Sequence, residues 1–133
     1  HRDYQVRNLM MKDGTLYITD FQDARWGPFC YDLASLLKDS IELAEEEIGQ
    51  YRDYYLSQGT FPDNPQKFLR QFQLMCIQRL LKALGTYGYQ IAVCGKDIYR
   101  QYVPGSLQRA LDSLQSIPEF PYIQSVIEKE LET

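Results

Sequence analysis

The sequence predicts a mainly α-helical fold with one small β-hairpin at its N-terminal edge. Three observations lead there. Residues 9–21 contain two short apolar runs around Asp13-Gly14. That dipeptide is a strong hairpin signal, because glycine accepts positive φ at little cost. After "GPFC" the apolar residues recur at three- and four-residue spacing, the period of a helix. Proline-containing breaks at "DNPQ", "VPGS" and "SIPEFP" separate the helical runs.

Residues 1–8 are polar and read as a loop. "LMM", "KDG" and "TLYITDF" form the hairpin. On its second strand Leu16, Ile18 and Asp20 share one face, and Tyr17, Thr19 and Phe21 the other. "YDLASLLKDSI" sets Leu33, Leu36, Leu37 and Ile41 on a helix, with Asp32 at the N-cap position. "ELAEEEIGQYRDYYLSQG" continues with Leu43, Ile48, Tyr51, Tyr55 and Leu56, and Gly59 serves as a C-cap. The longest helix begins at "DNPQ", where Asn64 caps and Pro65 suits the first helical position. Between Phe68 and about Cys94 its apolar residues fall on several faces, which predicts central burial. Gly85 and Gly88 mark close packing or a kink. "VPGS" breaks the pattern, and two helices follow at about 105–116 and 121–131.

A chain of 133 residues fits a single domain, 1–133, with one sizeable core. Eighteen acidic residues against fourteen basic ones give a net charge of −4. That balance argues against a nucleic-acid partner, which needs a basic face. Three cysteines without C-x-x-C spacing and one histidine do not compose a zinc site. Their odd number fits free thiols in a reducing compartment, so a cytoplasmic location is expected. No run of 18 apolar residues offers a membrane span. The chain opens on a charged loop and reads as a piece of a longer protein.

The polar residues near the start carry the chemistry. Asp3 and Asn8 fit H-R-D-x-x-x-x-N, and Asp20 follows twelve residues later in D-F-Q. A hairpin between them sets the loop before it beside the loop after it. Phosphoryl transfer needs such a set: a carboxylate to orient and deprotonate the attacking hydroxyl, and hard oxygen ligands for Mg²⁺. Asp3 is the candidate base, and Asn8 and Asp20 are the candidate metal ligands. The joint spacing is far more specific than either motif alone. His1 is expected to pack beneath the loop and bond the backbone near Asp20. Asp32 is expected to cap its helix and reach back to amides of the 1–8 loop, a supporting role. Only twelve residues separate Asp20 from Asp32, and no A-P-E follows. That leaves no platform for a peptide and favours a small-molecule acceptor. Trp26, Phe29 and Tyr31 could stack on a sugar ring, as could Tyr51, Tyr54, Tyr55, Tyr87 and Tyr89, although core packing is the commoner role. Arg79 either pairs with a core acid or faces the acceptor.

"HRDYQVRNLM" with "DFQDARWGPFCYDLASLLKDS" resembles the C-terminal lobe of the aminoglycoside phosphotransferase / choline kinase superfamily. Within it, H-R-D, R-N-L-M, D-F-Q-D-A, G-P and Y-D-L-x-S-L-L-x-D look most like the cell-wall amino-sugar kinases. Those phosphorylate N-acetylmuramate and N-acetylglucosamine at the anomeric hydroxyl. "QRLLKALGTYGY" at 78–89 resembles their Q-R-x-x-K-x-L-G segment. The resemblance implies the substrate- and metal-binding lobe of a protein-kinase-like fold, with ATP and Mg²⁺ as cofactors. It implies Asp3 as base, Asn8 and Asp20 as metal ligands, and Asp23 as a substrate or supporting contact. Arg2 departs from the H-G-D commoner in antibiotic-modifying members and counts against an antibiotic substrate. The family's nucleotide-binding lobe brings a Gly-rich loop and a strand Lys. Neither has a counterpart here, since Lys12 and Lys38 lack the context, so 1–133 alone is expected to be inactive. Alternative acceptors are an aminoglycoside, choline, homoserine or a methylthio-sugar. A pseudokinase-like regulatory module is the other alternative, and intact Asp3, Asn8 and Asp20 speak against it.

Overall fold

The computed structural model of the chain describes residues 1–39, 43–59 and 64–132. It comprises two compact units, His1–Cys76 and Ile77–Thr133.

The first unit opens with a loop and a short 3-10 turn, Val6–Asn8. Strands β1 (Leu9–Lys12) and β2 (Thr15–Ile18) then pair antiparallel, with Leu9 opposite Ile18 and Lys12 opposite Thr15. Asp13 and Gly14 make the two-residue turn, with φ of 51° and 74°. Two positive φ values in succession are the mark of a type I′ turn, whose twist matches the strands. Both strand faces are exposed: Leu16 and Ile18 are 49% and 46% accessible, and Tyr17 on the other face is 51%.

The core of this unit is made by α1 (Tyr31–Asp39), α2 (Glu45–Gln58) and the first part of α3 (Pro65–Ala92). Cys30, Ala34, Leu37, Ile48, Phe68, Phe72 and Cys76 are buried there, with Phe29, Leu33, Leu43, Tyr55, Leu56 and Met75 packed against them. Phe68 is the hub. Its ring lies 5.5 Å from Phe29, 6.2 Å from Tyr55 and 6.3 Å from Phe72. The helix carrying it starts where the local sequence dictates: Asn64 Oδ1 accepts the Lys67 amide at 2.7 Å, with Pro65 in the first turn. Gly59 follows α2 with an extended backbone (φ −124°), not the left-handed cap expected of it. Ile41 lies outside the described residues.

α3 differs from the expectation of burial all round. Phe68, Phe72, Cys76 and Leu80 form one buried stripe at four-residue spacing, while Leu69 is 36% accessible. Residues four apart share a helix face, so that stripe is buried; Ile77 and Arg79 extend the burial to other faces in the middle of the helix, and most residues from Gly85 onward are exposed. Nor do Gly85 and Gly88 mark close packing among the described residues, where a Cβ at either would meet nothing within 4 Å. Glycine in a helix interior costs about 1 kcal/mol relative to alanine. Gly85→Ala and Gly88→Ala are therefore expected to raise stability, each by up to about 1 kcal/mol, read from urea unfolding midpoints. A loss of stability in both would show that an unoccupied surface is the wrong description.

In the second unit a 3-10 segment, Asp97–Tyr102, leads into α4 (Val103–Gln115), and α5 (Pro121–Leu131) packs on α4. "VPGS" thus begins a helix instead of breaking one, because proline is tolerated in a first turn, whose N–H groups are unpaired anyway. Tyr87, Tyr99 and Tyr102 cluster with ring centroids 5.8–6.4 Å apart. Arg79 is buried, as are Leu80, Ala110, Leu114, Ile117 and Ile127. No described helix is long and apolar enough to cross a membrane.

Candidate active site

The hairpin register builds the site. Leu9 pairs with Ile18. One step further out, the Thr19 amide and hydroxyl both donate to the Asn8 carbonyl, at 2.9 and 3.2 Å. Asn8, just before β1, and Asp20, just after β2, are therefore held side by side. The Asn8 side chain, 9% accessible, then joins the two loops. Its Nδ2 donates to the Asp3 main-chain oxygen at 2.8 Å and lies 3.5 Å from Asp20 Oδ2. The Gln5 amide also donates to the Asp3 oxygen, at 2.9 Å. One amide thus brings together all three residues singled out by their spacing.

Two of the loop residues adopt backbone that side-chain-bearing residues seldom do. Arg2 has φ 74° and Asp20 φ 62°. Such conformations persist where surrounding bonds over-determine them, and they cluster at functional sites. The bonds are identifiable here. Asp32, in the first turn of α1, accepts the main-chain nitrogens of His1 and Arg2 at 2.8 and 2.9 Å. His1 Nε2 lies 2.8 Å from the Thr19 carbonyl, which makes it the donor to the residue preceding Asp20. The imidazole is otherwise enclosed, edge-on to Tyr4 at 5.7 Å. The start of the loop is thus tied at two points, by Asp32 to α1 and by His1 to Thr19, just after β2.

Gln22 joins the candidate site although spacing alone does not single it out. Its Nε2 donates to Asp20 Oδ1 at 2.7 Å and turns the carboxylate. The signal for it lies in D-F-Q itself, a polar side chain two residues after the candidate ligand. Asp23 and Trp26 stand apart. Both are exposed, and neither is bonded to Asp3, Asn8 or Asp20.

The donor set suits a hard cation. With Nδ2 committed to Asp3, the Asn8 Oδ1 accepts no hydrogen bond among the described residues. It is an amide oxygen on a residue whose Nδ2 lies against the Asp20 carboxylate, and amide and carboxylate oxygens are the ligand chemistry that Mg²⁺ takes. No group of three or more His, Cys, Asp or Glu able to hold a metal occurs among the described residues. An ion here would complete its shell with oxygens from elsewhere. Away from this cluster, burial pushes the Cys30 thiol up. Burial, then the nearby Cys30 and Asp32, push the Tyr55 phenol up. Tyr55 therefore stays protonated, with its hydroxyl 3.5 Å from the Phe29 carbonyl.

The model of the phosphotransferase enzyme family matches residues 1–67, which contain the whole loop–hairpin–loop cluster and α1. An N-acetylmuramate/N-acetylglucosamine kinase of Neisseria meningitidis is 40% identical over 110 residues, covering 78% of this chain and 33% of that protein. Kinases of the same name from Pseudomonas aeruginosa and Pseudomonas putida are 34% and 31% identical, over 77% and 96% of this chain. The chain spans about a third of the length of these relatives. No solved structure gives a comparable match. The family match covers half of the residues, and the mainly helical fold with its single hairpin is consistent with it, so the chain belongs to the phosphotransferase enzyme family.

Proposed function

We propose that this chain is the substrate- and metal-binding part of an ATP-dependent small-molecule kinase of the cytoplasm, with an amino sugar as acceptor. The observation that carries the reading is Asn8, bonded at once to the Asp3 main chain and set beside Asp20 across the hairpin. The names of the relatives support the choice of acceptor. In this reading Mg²⁺ would be held by Asn8 Oδ1 and an Asp20 carboxylate oxygen. When bound it supplies neutralisation of the charge on the transferring phosphoryl group. Asp3 orients the acceptor hydroxyl and takes its proton as the oxygen attacks phosphorus. Gln22 holds the Asp20 carboxylate in one rotamer. His1 and Asp32 hold the loop so that the base does not drift, and positioning is most of the catalysis in phosphoryl transfer. The nucleotide is gripped by a Gly-rich lobe outside residues 1–133.

The test is ADP release by this chain joined to its nucleotide-binding lobe, across N-acetylglucosamine, N-acetylmuramate, aminoglycosides and choline. Preference for an aminoglycoside or for choline would overturn the acceptor. The same assay, titrated with magnesium, checks the ligands. Asn8→Ala and Asp20→Ala are each expected to raise the half-saturating Mg²⁺ concentration. Asp20 is expected to matter more, because a charged oxygen offsets the ion better than an amide. Unchanged half-saturation in both variants removes them from the metal site.

A further inference from the structure

Three aromatics follow Asp20 and could contact a ring: Trp26, Phe29 and Tyr31. The structure separates them. Phe29 packs into the core against Phe68, at 5.5 Å between centroids, and Tyr31 begins α1 and is partly buried. Trp26 is 102% accessible and makes no ring contact among the described residues. A fully exposed tryptophan is unusual, because the indole is highly buried on average. Three residues before it, the Asp23 carboxylate is exposed and accepts no hydrogen bond among the described residues.

The segment that carries these two side chains is anchored on either side of Trp26. Ala24 N donates to the Phe21 carbonyl at 3.0 Å, Tyr31 N to the Pro28 carbonyl at 3.0 Å, and Cys30 is fully buried. The segment between Asp20 and Asp32 thus carries one exposed indole and one exposed carboxylate, neither with a partner among the described residues. A pyranose has the matching surface: an apolar C–H face that stacks on an indole, and a rim of hydroxyls that donate to a carboxylate. The polar sequence neighbours of Trp26, Asp23 and Arg25, suit a small polar ligand better than an apolar protein face.

We infer that Trp26 is the stacking platform for the acceptor's sugar ring and that Asp23 accepts its hydroxyls, which makes the pair the determinant of acceptor class. The inference rests on the kinase reading above. It also has a readout independent of turnover. Trp26 is the only tryptophan of the chain, so its emission reports this position alone.

The experiment titrates the 133-residue chain with N-acetylglucosamine, and with the ring-less sorbitol as control, following tryptophan fluorescence. The expected result is a saturable change with the ring sugar and none with sorbitol, at a Kd in the millimolar range or tighter. Asp23→Asn is expected to weaken that binding about tenfold. In the chain joined to a nucleotide-binding lobe, Trp26→Ala is expected to raise the KM for the sugar about tenfold or more and leave the KM for ATP unchanged. Its unfolding midpoint should not move, since nothing among the described residues packs on the indole. Emission unaltered by the sugar up to about 100 mM, or an unchanged sugar KM in Trp26→Ala, overturns the platform while leaving the kinase reading intact. Saturable emission without any phosphorylation overturns the kinase reading and leaves the sugar contact standing.

Discussion

In an enzyme that carries residues 1–133 together with a nucleotide-binding lobe, Asp3→Asn is expected to lower kcat by about 10²-fold or more, the usual contribution of a general base. The fold should survive. The Asp3 main-chain oxygen is an anchor of the loop, accepting Asn8 Nδ2 and the Gln5 amide. Asparagine keeps that oxygen and nearly the same shape. The substitution therefore removes the proton acceptor and leaves the loop built. A steady-state assay at saturating acceptor, beside a thermal melt, separates the two. Retention of more than about a tenth of the wild-type kcat would falsify the assignment of Asp3 as the base. A large drop in melting temperature would mean instead that the carboxylate supports the loop.

The largest expected effect on stability is at Phe68. Its ring is fully buried and touches Phe29, Tyr55 and Phe72, which come from the segment before α1, from α2 and from α3. Phe68→Ala is expected to cost about 3–5 kcal/mol, the sum of lost transfer free energy and the cavity left behind. Small domains are stable by roughly 5–15 kcal/mol in all, so most of the margin of the first unit would go. The neighbouring Leu69→Ala is the control. Leu69 is 36% accessible on the same helix and should lose far less. Urea unfolding followed by far-UV circular dichroism measures both, and equal losses would show that Phe68 is not the hub of this core.

Features set by short-range chemistry are legible in the sequence. Asp13-Gly14 specifies a two-residue turn because only small or polar residues tolerate its backbone, and the register of β1 and β2 follows. Asn64 and Pro65 specify the start of α3 by a cap and a preset φ. The spacing of Asp3, Asn8 and Asp20 likewise points to one cluster, because a hairpin returns the chain to where it left. Gly85 and Gly88 are the opposite case. Their place in a helical run suggests close packing, yet among the described residues nothing lies within 4 Å of a Cβ at either, and a glycine's sequence position does not reveal that.

The class of fold and the clustering of the three candidate polar residues follow from the sequence, since both rest on turns, caps and periodicity acting over a few residues. How those residues are held is settled only by long-range folding. Asp32 reaches Arg2 across 30 positions of chain, and His1 reaches Thr19 across 18. Left-handed backbone at Arg2 and Asp20 accompanies these bonds and has no local signature in either residue. Burial sorts the aromatics in the same way, sending Phe29 inward and leaving Trp26 in solvent. Hydrophobic burial is non-directional and depends on which distant side chains complete a core, so nearby residues of similar character meet opposite fates that no local pattern encodes.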